Sequence, residues 1–260
     1  MSGQLSRRLG AEMVGSLLLT LFGAGAVVAA FFHVGELTYA GFGFVGLSFA
    51  ISIAVAIYAF GGISGAHINP TVTLTLAIIR RFPWKEVLPY IVAQLVGGAI
   101  AGLLILAYVG TQGADLGGFG LTELAPGVSW WQGVVAEAVG TFILVTAIMA
   151  MAVDPRGHAA WAGWIIGLSV AAAVLIVGPV SGASLNLQRT FGPYLANTIA
   201  GGDTPWEQLP LYLVGPLIGG VLAALTYLWV VKPPPPAPVR PEPTYDEEFD
   251  HNPPRDGREQ

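Results

Sequence analysis

The sequence predicts an all-α membrane protein of six transmembrane helices and two re-entrant half-helices, arranged as an inverted repeat. Three observations predict it. Only 10% of the residues are charged while 54% are hydrophobic, whereas a soluble domain carries about 25% charged residues. Charge is missing in blocks long enough to cross a bilayer. One loop sequence also occurs twice, and each copy leads into an apolar run too short to cross.

The spans come in order. A transmembrane helix needs roughly 20 predominantly apolar residues. The first fits near 9–32, where Glu12 is the only charge. The opening "MSGQLSRRLG" has a short basic region, but the apolar run behind it exceeds a signal-peptide core and contains Glu12, so it reads as a retained span. The second fits near 40–62, inside the uncharged block Leu37 to Ala66. The third, near 87–109, falls in the uncharged block Val87 to Ala114. The fourth, near 130–152, contains only Glu137. The fifth and sixth, near 159–179 and 208–231, are uncharged. A soluble protein with six buried helices would need polar residues elsewhere to cover them, and this chain lacks them. From Lys232 onward the chain is Pro-rich and acidic, with seven acidic and four basic residues. Such a composition predicts a disordered tail over 232–260.

The basic residues set orientation. Arg7 and Arg8 precede the first span, Arg80, Arg81 and Lys85 separate the second from the third, Arg156 separates the fourth from the fifth, and four more lie in the tail. With six spans these all fall on one side, which the positive-inside rule makes the cytoplasm, with both termini. Arg189 is the exception among eleven.

Two features repeat. "LGAEMVGSLLLT" at Leu9 is matched by "VVAEAVGTFILVT" at Val134, pairing Glu12 with Glu137 at an offset of 125 residues. "SGAHINP" from Ser64 is matched by "SGASLNL" from Ser181, pairing Asn69 with Asn186 at an offset of 117. Each copy holds three spans and one loop. Three is odd, so the second copy enters from the opposite face, which makes an inverted-topology repeat. The halves are 1–120 and 121–231.

After Asn69 about eleven apolar residues precede Arg80. As a helix they cover roughly 16 Å, about half of the hydrocarbon core. The run after Asn186 is equally short. Either these are extramembrane loops with a helical turn, or each is a half-helix entering from its own face. Matched copies with Asn at a helix start favour the half-helices. Asn is a favoured N-cap, and Pro70 suits the first helical position. The leading N–H groups of a helix are unpaired and carry partial positive charge. Two such ends would therefore meet at mid-bilayer, where the Asn amides add donors. The carbonyls of Gly65, Ala66, His67 and Ile68, and of Gly182, Ser184 and Leu185, would supply acceptors. Such a path hydrates small neutral molecules and opposes cations.

These residues resemble the aquaporin and glycerol-facilitator family (major intrinsic proteins) over about residues 5 to 231. "SGAHINP" and "SGASLNxxRxFGP" carry the likeness, one per half, with a Glu in the first and fourth spans. The resemblance implies a right-handed helical bundle, an hourglass pore in each protomer, and a homotetramer in the plasma membrane. It puts Asn69, Pro70 and Thr71 opposite Asn186, Leu187 and Gln188 at the pore midplane. The family pattern there is Asn-Pro-Ala, so Thr71, Leu187 and Gln188 depart from it. It makes Arg189 part of the outer constriction. An arginine at a helix centre costs about 2.5–3.5 kcal/mol on insertion scales, so this one should face the lumen. Counting from the motifs adds Phe49, Val174 and Ala183, a ring more apolar and wider than one containing His. That favours small uncharged solutes beside water. Glycerol facilitators usually place Asp after the arginine, and here Thr190 stands. His67 matches a histidine that lines the cytoplasmic vestibule.

Glu12 and Glu137 could relay protons, or could accept hydrogen bonds from the re-entrant loops; their symmetry and the resemblance favour loop support. Three functions fit the pattern: a passive channel for water, with small uncharged solutes such as glycerol as candidates; a coupled secondary transporter; or a structural membrane protein with a narrowed pore. The channel reading is preferred because coupling usually needs ionisable groups beyond Glu12, Glu137 and Arg189. No catalytic constellation, metal-ligand pair, phosphate loop or cysteine appears, so neither an enzyme, a cofactor nor a nucleic-acid partner is expected.

Overall fold

The computed structural model describes residues 3–232. It contains eight α-helices longer than one or two turns among the described residues: α1 Gly3–Val34, α2 Tyr39–Ser64, α3 Pro70–Ile78, α4 Trp84–Val109, α5 Trp130–Ile148, α6 Ala159–Ser181, α7 Leu187–Ile199 and α8 Leu211–Val231. Six are long and apolar enough to span a membrane, and they match the six expected spans. α3 and α7, with 9 and 13 residues, reach only ~14 and ~20 Å. The tail read as disordered lies outside the described residues from 233 onward.

The distribution of side chains is that of a protein dissolved in lipid. Leu47, Ile51 and Val55 of α2, Val135 and Val139 of α5, and Leu222 and Leu225 of α8 are exposed. Glu12, Thr20, Gln94, Glu137, Gln188 and Thr190 are fully buried. A bilayer core offers no hydrogen bonds, so polar groups gather inside and apolar ones face out. Trp84, Trp130, Trp131 and Trp161, at the first turns of α4, α5 and α6, are exposed, as is Trp229 in the last turn of α8. Tryptophan at span ends marks the two interfaces.

The helix pairs repeat as the sequence does. α1 packs on α2 and α4, α5 packs on α6 and α8, and α2 packs on α6 to join the copies. α3 lies against α4 and α8, while α7 lies chiefly against α4. The closest crossings are made at glycine. A Cβ on Gly97 would lie 2.2 Å from the Met13 carbonyl oxygen, and one on Gly219 would lie 2.0 Å from that of Ala138. Met13 and Ala138 are 125 residues apart, the offset of the two glutamates. Small residues let backbones meet where no hydrophobic force drives helices together.

α5 ends in a single π-turn, Met149–Val153, and then in a tight cluster. Asp154 Oδ2 accepts from Arg156 Nη2 at 2.6 Å and from the Tyr227 hydroxyl at 2.9 Å. Its Oδ1 accepts from the Arg156 backbone N–H at 2.9 Å and from Nε at 3.0 Å. The bond from Arg156 holds the Asp154 carboxyl well below the usual carboxylate range. A depressed folded pKa stabilises above the unfolded value, near 4, and the effect is lost as pH falls further. Asp154→Asn is therefore expected to lower the unfolding temperature in detergent by a constant amount from pH 5 to 8. The gap should narrow below about pH 4. A gap independent of pH down to the acid limit would mean that the carboxylate charge contributes nothing.

Candidate functional site: two half-helix tips and the cavity between them

Each re-entrant loop begins where a long helix ends in a left-handed glycine: Gly65 closes α2 at φ 89°, and Gly182 closes α6 at φ 79°. The next residues alternate in and out of the left-handed region. Ala66 (46°) and Ile68 (43°) do so in the first loop, Ala183 (46°) and Leu185 (56°) in the second. Such conformations cost non-glycine residues roughly 1–3 kcal/mol each and persist only when the surroundings fix them.

The fixing groups are the two glutamates. Glu12 Oε1 accepts from Ser64 Oγ at 2.6 Å and the His67 backbone N–H at 2.9 Å, and Oε2 from the Ile68 N–H at 2.7 Å and Gln94 Nε2 at 2.8 Å. Glu137 Oε1 accepts from Ser181 Oγ at 2.7 Å and the Ser184 N–H at 2.9 Å, and Oε2 from the Leu185 N–H at 2.7 Å. Two tyrosines complete the frame. Tyr90 donates to the Ser64 carbonyl at 3.0 Å, and Tyr212 to that of Ser181 at 2.9 Å. Sequence reading missed Tyr90, Tyr212 and Gln94. The two tyrosines are 122 residues apart and share the repeat, a signal that was available.

The loops deliver Asn69 and Asn186 as N-caps of α3 and α7. Asn69 Oδ1 accepts from the Thr71 N–H at 2.9 Å, and Asn186 Oδ1 from the Gln188 N–H at 3.2 Å. Each amide nitrogen reaches across to the other loop. Asn69 Nδ2 donates to the Leu185 carbonyl and Asn186 Nδ2 to the Ile68 carbonyl, both at 2.9 Å. The two helix tips are thus cross-tied, with their positive ends together. An amide nitrogen carries two protons, so each Asn keeps one beyond its cross-tie.

A cavity of about 330 Å³ runs to these tips from the arginine-rich face. Arg81, Ile148, Ala152 and Val153 stand at its mouth, and Gly65, Ala66, His67, Ile68 and Asn69 line one wall. Ala183, Ser184, Leu185, Asn186 and Arg189 line another, with Phe49. His67 packs edge-on to Phe82, with ring centroids 4.7 Å apart, and its Nδ1 lies 3.1 Å from Thr73 Oγ1. Gln94 Nε2 donates to the same hydroxyl at 3.0 Å, so α4 bonds the Glu12 carboxylate directly and is linked to His67 through Thr73.

Some expected residues lie elsewhere. Pro70, Thr71, Leu187 and Gln188 shape the tips from behind and do not line the cavity. Gln188 is fully buried and turns away toward α1. Gly182 is also outside the lining: its backbone packs on Thr122, where a Cβ would come within 3.0 Å. The α6 wall is made by Ile166 and Val170. Val174, one turn on from Val170, is buried and is not part of this lining.

Arg189 is 2% exposed. Its Nη1 donates to the Gly120 carbonyl at 2.6 Å, and its guanidinium carbon lies 5.0 Å from the Phe49 ring centroid. That is cation–π range. Arg189 is thus held against both the Gly120 carbonyl and the Phe49 ring. The segment 110–129 makes this possible, and sequence reading passed over it. Gly117, Gly118, Phe119 and Gly120 all have positive φ, which folds the segment inward until Phe119 is fully buried. Thr122 holds the fold in place: its carbonyl accepts from Tyr194 at 2.8 Å, and its hydroxyl lies 2.8 Å from that of Thr190. The Thr190 hydroxyl also lies 2.6 Å from that of Ser184. Thr190 thus ties the outer segment to the second loop.

This arrangement defines a membrane channel class, and comparison with known proteins agrees. The family model Major intrinsic protein matches residues 1–227. Aquaporin AqpM of Methanothermobacter marburgensis is 44% identical over 240 residues, covering 87% of this chain and 98% of that protein. Putative aquaporin NIP4-1 of Arabidopsis thaliana is 36% identical, covering 86% of this chain and 74% of that protein. The X-ray structure of the aquaglyceroporin from Plasmodium falciparum shares the fold, with a TM-score of 0.78 at 23% identity, covering 87% of this chain and 97% of that one. The chain belongs to the major intrinsic protein family.

Proposed function

We propose that this protein is a passive channel that carries water across a membrane, with small uncharged solutes such as glycerol as further cargo, and that it excludes ions and protons. The reciprocal cross-tie of Asn69 and Asn186 carries the reading. It aims two helix N-termini and two spare amide protons at one point. A water oxygen arriving there accepts from both Asn amides, which turns its own protons outward along the file. Carbonyls of the two loops receive those protons. A cation meets two positive helix ends and then Arg189, and finds no carboxylate, because Glu12 and Glu137 are engaged by loop donors. The same engagement argues against coupled transport.

The arginine-rich face is read as cytoplasmic, with both termini there, in the plasma membrane. The family resemblance supports a homotetramer with one pore in each protomer. Phe49, Val174, Ala183 and Arg189 are read as the narrow point of this path.

Vesicles containing the protein are expected to shrink several-fold faster than empty ones under an osmotic step, with weak temperature dependence, as flow through a pore requires. Equal rates would remove the channel reading. Swelling in isosmotic gradients of glycerol and of urea identifies the solutes that pass.

A further inference from the structure

The two half-helix tips share their Asn caps and cross-ties but differ in the residues that follow, Pro70, Thr71 and Val72 against Leu187, Gln188 and Arg189. The loop offset of 117 pairs Gln188 with Thr71. Their surroundings can be compared atom by atom. Gln188 Oε1 accepts from the Thr20 hydroxyl of α1 at 2.9 Å, and Nε2 donates to the Ile68 carbonyl at 3.3 Å. The hydroxyl of Thr71 is buried with no partner among the described residues. Thr20 pairs by the glutamate offset of 125 with Val145, which has no hydroxyl. Gly98 and Gly220, related by the tyrosine offset of 122, stand beside the two positions. A Cβ on Gly98 would come within 2.6 Å of Gln188 Oε1, while one on Gly220 would meet Thr71 Cγ2 at 3.4 Å. One tip therefore carries a polar strut to α1 and the other does not.

The direction of the Gln188 amide is fixed by its partners. Reversal would set Oε1 against the Ile68 carbonyl, an acceptor against an acceptor. As it stands, the Ile68 carbonyl accepts from both Asn186 Nδ2 at 2.9 Å and Gln188 Nε2 at 3.3 Å. A carbonyl oxygen has two lone pairs, so this one is filled. Its counterpart, the Leu185 carbonyl, accepts from Asn69 Nδ2 at 2.9 Å and has one lone pair left.

We propose that Gln188 is a positioning and specificity residue: by filling the Ile68 carbonyl it makes the pore midplane donor-rich and one-sided. Such a midplane favours a solute that presents an oxygen acceptor, as water does. It disfavours solutes dense in N–H donors, of which urea is a small neutral case, because they find one acceptor where two stood ready. Thr20 acts through Gln188 by holding its amide. The inference rests on the channel reading.

The test is paired flux in vesicles holding the full chain. Gln188→Met keeps the length of the side chain and removes both its donor and its acceptor. It is expected to raise the urea-to-water permeability ratio about three- to tenfold, the size of one net hydrogen bond. Thr20→Val should move the ratio in the same direction but less, and the double variant should exceed Gln188→Met alone by little. A ratio unchanged in both single variants overturns the proposal. So does a parallel fall of both fluxes with a lowered unfolding temperature, which would make Gln188 a strut alone. If wild-type vesicles shrink no faster than empty ones, the channel reading itself has failed, and this inference fails with it.

Discussion

Glu12→Leu is expected to unseat the first re-entrant loop and abolish flux, with a fall in unfolding temperature larger than that of any surface substitution. The carboxylate accepts four hydrogen bonds, two of them from the backbone N–H groups of His67 and Ile68. Leucine fills the volume and satisfies none of them. Each buried donor left unpaired costs about 1–3 kcal/mol. Ser64 and Gln94 can turn to other acceptors, but the two backbone donors cannot turn. The two backbone donors alone therefore cost about 2–6 kcal/mol, and the loss is larger if the side chains also fail to find partners. The left-handed Ala66 and Ile68 would then be free to relax, and Asn69 would leave its place opposite the Leu185 carbonyl. Glu137→Leu should act in the same way on the second loop but somewhat less, since that carboxylate accepts three bonds rather than four. Detergent melting curves and osmotic shrinkage of vesicles give the order directly. Wild-type melting and flux in Glu12→Leu would show that the loop holds itself.

That such a mechanism can be read from a sequence at all follows from the solvent. In a bilayer every polar residue within a span must be explained, so Glu12, Glu137, Asn69, Asn186 and Arg189 announce themselves against an apolar background. The repeat then pairs Glu12 with Glu137 and Asn69 with Asn186: each glutamate holds its own loop, and the two asparagines meet where the loops cross-tie. What escaped the reading has equally physical causes. The segment 110–129 lies between spans and has no periodicity to betray that it turns inward; its reach to Arg189 comes from consecutive positive-φ residues, a property of backbone and not of composition. The direction of Gln188 was open because a long amide at a helix tip can point to the lumen or to a neighbour, and Thr20, 168 residues away, decides it. Val174 was located by counting along a helix, where one turn moves a side chain by ~5.4 Å without changing its face, so its level is set less firmly than that of the motif residues. Motif positions are anchored by chemistry, whereas register positions along an uncharged helix are not.

Arg189→Val is expected to leave water flux present while admitting larger neutral solutes and raising cation leak. The offset of the loops pairs Arg189 with Val72, which is buried and lines the cavity from α3. The substitution therefore copies into the second half what the first half already tolerates, and α7 should still fold. Two things are lost. The guanidinium no longer fills the space between the Phe49 ring and the Gly120 carbonyl, so the narrow point opens. A fixed positive charge also disappears from the path. At about 5 Å and an effective dielectric constant near 20, that charge opposes a monovalent cation by roughly 3 kcal/mol, or about two orders of magnitude in flux. Arg189→Lys separates the two effects. It keeps a charge but cannot span from Gly120 to Phe49 with a planar fork, so it should admit glycerol or urea more readily while still rejecting cations. Solute-gradient swelling reads the first effect, and a potassium-diffusion potential across the vesicle membrane reads the second. If both variants keep the solute profile and the cation rejection of the wild type, Arg189 lies outside the conducting path, and the selectivity of the pore must rest on the two helix tips alone.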